Sequence, residues 1–270
     1  MSVVLVNGEP WASIDPCDRG LLYGDGLFET IAVPGGRPRF LDWHFDRLGR
    51  GALALAFPQP DFDLLGREIA RAAPAERGVV KLVLTRGPGE RGYRPPRDPR
   101  PTRIVMTLSW PSWPPDLAAR GVRLGWCRTR LSRNVRLAGL KHLNRLEQVL
   151  ARAEWDDDGD MDEGLMQDDR GRVISATQAN LLARIRGEWV TPRLDECGVA
   201  GIMRRAFREW SEARGAPVEE RALGVADIRA ADALVLTNAL IGAWPVASLD
   251  GRPLGLDPAV REFNDWLDRA

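Results

Sequence analysis

The chain carries 38 Lys plus Arg, yet lysine occurs only at Lys81 and Lys141, and the other 36 basic residues are arginine. Lysine can do one thing arginine cannot. When desolvated or set beside another cation it sheds its proton near neutral pH, and the free amine is a nucleophile that forms Schiff bases. Lys141 stands in LAGLKHLNRLEQVLAR (137–152), between the small-residue turn Ala138-Gly139 and what reads as a helix start. Solvated charge is the ordinary fate of a lysine, so the count by itself leaves a surface role open.

Other reactive residue types are sparse. Cys17, Cys127 and Cys197 are odd in number, far apart and without CxxC spacing, which argues against structural zinc and a disulfide framework. The two histidines are His44, in an amphipathic helical stretch that suits a structural role, and His142, which would point away from Lys141 on a helix. A Ser-His-Asp or Cys-His apparatus is therefore not expected. RGPGERGYRPPR (86–97) has neither G-x-G-x-x-G spacing nor GK[ST], so it reads as a hairpin turn or a loop at an active-site mouth. In GVAGIMRRAFREW (198–210) glycine runs directly into a helix, whose free N–H groups and dipole favour an anion. WDDDGDMDEG (155–164) lacks the spacing of a calcium loop and reads as a solvated acidic loop.

The elements that would position these residues follow from hydrophobic periodicity. Alternation predicts strands near 2–6, 27–33, 78–85 and 103–109, and helical spacing covers 41–57 and 61–73, an α+β first half. Three prolines within 109–121 stiffen the chain, which places an N-terminal domain at 1–108, a linker at 109–120 and a C-terminal domain at 121–270. The second half reads as a strand at 121–130, the Lys141 turn and helix, and strands near 162–167, 171–175, 179–184 and 188–191. A helix at 201–214, a short helix near 224–230, two strands from 233 and 244 and a C-terminal helix complete it. Formal net charge is zero, so no global field advertises nucleic acid or an anionic membrane, and no apolar stretch is long enough to span a bilayer. The expectation is a cytoplasmic protein with a small-molecule substrate and neither nucleic-acid nor membrane partners.

Taken in order, DRGLLYGDGLFETIAV, HFDRL, GVVKLVLTRGPGERGY, LAGLKHLNRLEQVLAR, DEGLM, TPRLDECGVAGIMR and TNALIGAWPV resemble segments of the fold-type IV pyridoxal-phosphate enzymes, over almost the whole chain. KHLNRLEQVL resembles the aminodeoxychorismate lyases in particular, whereas the aminotransferases of that fold resemble it only at the lysine. The resemblance implies a two-domain fold like that of D-amino acid aminotransferase, with a small N-terminal α/β domain and a larger C-terminal domain built on a β-barrel-like core. It also implies a pyridoxal 5'-phosphate cofactor and a homodimer with shared active sites. The activity implied is elimination of pyruvate from 4-amino-4-deoxychorismate to give 4-aminobenzoate for folate synthesis. The rival is an aminotransferase of the same fold acting on D-amino or branched-chain amino acids.

Residue by residue, the resemblance makes Lys141 the Schiff-base lysine and Thr30 an aid to proton transfer. Arg47 in HFDRL would grip the cofactor phosphate, Gly201, Ile202 and Met203 would offer it a helix N-terminus, and Asn238 would close that cup. Tyr93 would lie on a loop at the substrate mouth, and one or more arginines of 86–97 or RLSRNVR would meet the substrate's carboxylates. One departure stands out: where this fold type usually sets a glutamate against the pyridine nitrogen, five residues before an asparagine, the chain has Ser175 before Asn180. A serine hydroxyl can only donate to a neutral nitrogen, so the cofactor ring is expected to be largely unprotonated.

Overall fold

The computed structural model describes residues 3–114, 116–156 and 159–269; Pro115 of the proline-rich linker and Asp157 and Asp158 of the acidic loop lie outside them. The chain divides into two units, Met1–Pro111 with Leu140–Asn144, and Ser112–Gly139 with Arg145–Ala270. The division after Pro111 falls within the proline-rich stretch. The assignment of residues 140–144 to the first unit does not follow from linear order.

The first unit contains β1 (Val4–Val6), β2 (Glu9–Pro10), α1 (Arg19–Tyr23), β3 (Gly26–Val33), α2 (Leu41–Ala54), α3 (Phe62–Ala72), β4 (Gly78–Thr85) and β5 (Thr102–Leu108). Its five strands form an antiparallel sheet in the order β2-β1-β5-β4-β3. Leu27, Ile31, Val80, Leu82 and Val105 from the sheet and Leu48, Leu65 and Ile69 from α2 and α3 make one buried cluster. The apolar stripes of α2 and α3 thus cover one face of the sheet, as their 3.6-residue spacing predicts.

The second unit contains α4 (Leu117–Arg120), β6 (Val122–Leu131), α5 (Leu146–Arg152), β7 (Glu163–Asp168), β8 (Arg172–Ala176), β9 (Asn180–Ile185), β10 (Glu188–Pro192) and α6 (Ile202–Glu212). It continues with β11 (Val218–Arg221), β12 (Leu223–Gly224), α7 (Val225–Arg229), β13 (Ala233–Asn238), β14 (Gly242–Leu249), β15 (Arg252–Pro253) and α8 (Ala259–Leu267). Nine of its strands follow the order β11-β10-β9-β13-β14-β6-β7-β8-β12, with β15 on β14, in a nearly closed, barrel-like sheet. β6 is parallel to both β14 and β7, and β10 is parallel to β11, while the other pairs of this sheet are antiparallel. Leu124, Leu165, Leu181, Leu234 and Val246 fill its interior. No described helix is long and apolar enough to cross a membrane.

Two local expectations need correction. The helix in the Lys141 segment begins at Leu146, not beside the lysine, and Leu140–Asn144 carries only a bridge at His142 and a bend at Leu143. The reason is a better set of backbone partners: Phe28 N–H donates to Lys141 O at 2.9 Å and Leu143 N–H to Gly26 O at 3.0 Å, so the segment runs beside β3 and meets it in an antiparallel bridge between His142 and Leu27. Gly26 permits this approach, because a Cβ there would sit 2.6 Å from Leu143 Cδ1. His142 therefore faces away from Lys141 by strand alternation and not by helical spacing.

Candidate active site

In the first unit the chemistry gathers on one face of β3. Alternation puts Phe28 and Thr30 on that face and buries Glu29 on the other. The Lys141 Nζ lies 4.2 Å from the centroid of the Phe28 ring, where the ring quadrupole attracts an ammonium and its apolar surface disfavours water. Lys81, opposite Thr30 on β4, brings its own Nζ to 5.3 Å from the same ring. The only two lysines of the chain thus converge on one phenylalanine. Their rarity was the signal for Lys81 too, but nothing in the sequence says that two residues 60 positions apart share a ring.

Behind this face Arg47, 6% exposed on α2, is gripped edge-on by Glu29: Nε donates to Oε1 at 2.8 Å and Nη2 to Oε2 at 2.5 Å. His44 Nδ1 lies 2.6 Å from the same Oε2. Burial by itself would raise the Glu29 pKa; the Arg47 charge and the hydrogen bonds from Arg47 and His44 outweigh it and hold the carboxyl at about 2. Burial pushes His44 below its ordinary value, against the pull of Glu29, so the imidazole is neutral at pH 7 and donates through Nδ1. The structure thus gives Arg47 a buried counter-ion on its Nε–Nη2 edge. Sequence reading missed Glu29, whose place in LFETIAV looks like that of any strand residue.

Tyr93 is 85% exposed on the 86–97 loop, and Arg91 and Arg94 beside it are exposed as well.

In the second unit, α6 starts at Ile202 with Gly201 as its N-cap, which offers no side-chain cap to the first-turn N–H groups. A Cβ at Gly201 would fall 1.9 Å from Asn180 Oδ1, so only glycine leaves this helix end open. Asn180, at the start of β9, holds the approach to the helix by donating from Nδ2 to Val199 O at 2.9 Å. Thr237 on β13 is opposite Asn180 in register and fully buried, and its Oγ1 has no hydrogen-bond partner among the described residues. An orphaned buried hydroxyl costs about 1–3 kcal/mol unless something accepts from it or donates to it. An uncapped helix N-terminus with such a hydroxyl on the adjoining strand suits a phosphate, so the residues present fit the phosphate of pyridoxal phosphate. The Asn238 side chain is committed elsewhere: Oδ1 accepts from Leu240 N (2.9 Å) and Ile241 N (3.0 Å), and Nδ2 donates to Gln178 O (3.2 Å). Thr237, which the sequence reading passed over for its neighbour, is the side chain left for a ligand.

Ser175 is half-buried on β8, paired with Met166 of β7, and its hydroxyl has no hydrogen-bond partner among the described residues. Glu163 on β7 is a buried carboxyl, raised in pKa by burial, but it is already taken by Gly164 N (2.8 Å) and by the Thr177 backbone and hydroxyl. The three cysteines are free thiols, and no described cluster of His, Cys, Asp or Glu could hold a metal ion.

Comparison with known proteins identifies the family. Residues 26–249 match the family described as amino-transferase class IV. The chain is similar to the crystal structure of 4-amino-4-deoxychorismate lyase from Pseudomonas aeruginosa, with 45% identity and a TM-score of 0.94 over 99% of this chain and 98% of that one. It is also similar to aminodeoxychorismate lyase of Vibrio harveyi, 34% identical over 245 residues and 90% of each chain. D-alanine aminotransferase of Staphylococcus aureus is 26% identical over 288 residues, 100% of this chain and 98% of that protein. A family match across most of the chain, joined to these likenesses, places the protein in the class IV aminotransferase family, whose fold is that of the fold-type IV pyridoxal-phosphate enzymes.

Proposed function

We propose that the chain is an aminodeoxychorismate lyase, converting 4-amino-4-deoxychorismate to 4-aminobenzoate and pyruvate in the supply of folate precursors. The observation that carries this reading is the whole-length likeness to the Pseudomonas aeruginosa lyase, at 45% identity, against 26% to the aminotransferase. Bound pyridoxal phosphate supplies an electron sink that acidifies the substrate carbon bearing the amino group.

The chain's own residues divide the remaining tasks. The first-turn N–H groups of Gly201–Met203 and the Thr237 hydroxyl would hold the phosphate, with Asn238 shaping the turn beside them, and the Arg47 guanidinium is the arginine we propose for that phosphate. Ser175 would offer its hydroxyl to the ring nitrogen. Lys141 Nζ, held against Phe28, takes the proton from the amino-bearing ring carbon while the enolpyruvyl C–O bond breaks and the ring becomes aromatic. The same amine, with Thr30 as relay, returns a proton to the departing enolpyruvate, which leaves as pyruvate. Tyr93 and arginines of its loop meet the dicarboxylate substrate.

A cytoplasmic homodimer with shared sites belongs to this reading. The outer face of α5, where Leu146, Val149 and Leu150 are 76, 60 and 61% exposed, is an apolar surface of the kind a subunit contact covers. The deciding experiment incubates the protein with aminodeoxychorismate and measures aminobenzoate and pyruvate together. Equimolar formation supports the lyase; no aminobenzoate, with rapid amino transfer from D-alanine to 2-oxoglutarate, replaces it with the aminotransferase that the 26% likeness favours.

A further inference from the structure

Arg19, the first residue of α1, is charged yet 3% exposed. Its Nε donates to Asp25 Oδ2 at 2.9 Å, but the same oxygen accepts from Arg86 Nε at 2.7 Å and the other Asp25 oxygen from Arg86 Nη2 at 3.1 Å. One carboxylate thus serves two guanidinium groups, and the rest of Arg19's donor capacity goes to main chain. Nη1 donates to Gly92 O at 2.9 Å and, at longer range, to Arg94 O at 3.4 Å, while Nη2 donates to Tyr93 O at 3.0 Å. Three successive carbonyls converge on one planar fork.

Tyr23, at the other end of α1, completes the grip. Its hydroxyl accepts from Gly92 N at 3.3 Å, its ring centroid lies 4.9 Å from the Arg19 guanidinium carbon, and its ring packs at 5.4 Å on that of Tyr93, the only other tyrosine. The root of the loop is tied to the same segment by Arg19 N to Gly87 O (3.0 Å) and Gly89 N to Cys17 O (3.2 Å). The loop that bears Tyr93, Arg91 and Arg94 on its outside is therefore held from beneath by a buried cation.

We propose that Arg19 is a positioning residue for substrate: its guanidinium preforms the Gly92–Arg94 backbone, so that Tyr93 and the flanking arginines meet an anionic dicarboxylate without ordering the loop on binding. The proposal rests on the lyase reading for the substrate's identity. Physically it rests on the geometry of the fork. Lysine carries the same charge but only three donors at a single point, and cannot span three carbonyls.

The test is Arg19→Lys in the holoenzyme, with trypsin cleavage of the Arg91–Gly92 bond followed by fragment mass. Cleavage at that bond should be faster than in the parent by about 10-fold or more, because a loosened loop opens more often. KM for aminodeoxychorismate should rise by about 10-fold or more, since binding now includes ordering of the loop, with kcat within about 3-fold and the cofactor absorbance unchanged. Equal cleavage overturns the clamp. Faster cleavage with unchanged KM, or a fall in kcat at constant KM, overturns the role toward substrate. If the parent forms no aminobenzoate, the function proposal falls and the cleavage ratio decides the clamp. Should Arg19→Lys fail to fold, Tyr23→Phe, which removes only the hydroxyl accepting from Gly92, carries both readouts in the same direction with smaller size.

Discussion

Replacing Glu29 with glutamine tests the buried ionic centre behind the reactive face. Glu29 is 1% exposed and accepts from both Arg47 and His44, so the substitution removes the buried carboxylate that pairs with the Arg47 charge. Removing one partner of a buried pair costs about 3–5 kcal/mol. Linkage gives a similar figure: a carboxyl moved from 4.5 to about 2 is stabilised in the fold by about 3 kcal/mol, at about 1.4 kcal/mol per pKa unit. The sign follows from the lowered folded-state value. The stabilisation is present above the unfolded pKa of 4.5 and is lost as pH falls from there toward 2. His44, lowered by burial against the pull of Glu29, loses stability to protonation as pH falls below its unfolded value of 6.5, and the variant, which lacks that pull, holds its His44 lower still. Urea unfolding followed by far-UV circular dichroism, at fixed cofactor concentration, should show Glu29→Gln less stable by about 3 kcal/mol at pH 7. The gap should narrow by about 1.4 kcal/mol per pH unit below pH 4.5. A gap under about 1 kcal/mol at pH 7, or one that stays constant down to pH 3.5, refutes the account of Glu29 as an ionised buried counter-ion.

Three further outcomes follow from the site. Lys141→Arg should abolish the imine absorbance of the bound cofactor and lower turnover by at least ~10²-fold, because a guanidinium neither forms the Schiff base nor moves protons at pH 7; retained absorbance, with Lys81 intact, would point to the wrong lysine. Thr237→Val should weaken cofactor binding by roughly 10–100-fold, the loss of a hydrogen bond to a charged group, while leaving the apoprotein as stable or more so because the hydroxyl is otherwise unsatisfied; fluorescence titration and thermal melting separate the two effects, and equal cofactor affinity moves the phosphate elsewhere. Ser175→Glu should raise side transamination of simple amino acids relative to lyase turnover, and the nitrogen-15 shift of labelled cofactor should report a neutral ring nitrogen in the parent; a protonated nitrogen there would end any electronic role for the serine.

What the sequence determined by itself was local. Alternation over 27–33 and 78–85, the 3.6-residue stripes over 41–57 and 61–73 and the glycine before the helix expected at 201–214 are short-range patterns, and each recurs in the structure as an element, with its ends shifted by a few residues. Residue chemistry was equally legible in the two lysines among 36 arginines. Partners were not legible, because a side chain's neighbours are set by strand register and helix docking across long separations. Only the tertiary structure laid the Lys141 segment against β3, since the lure of a helix start in KHLNRLEQVL was outweighed by backbone bonds to Gly26 and Phe28. Only it joined Glu29 to Arg47 and His44, left the Thr237 hydroxyl, opposite Asn180, without a partner among the described residues, and set Arg19 beneath a loop more than 70 residues downstream. Each of these depends on a buried polar group finding, or failing to find, a partner, and that accounting closes only when the whole unit is folded.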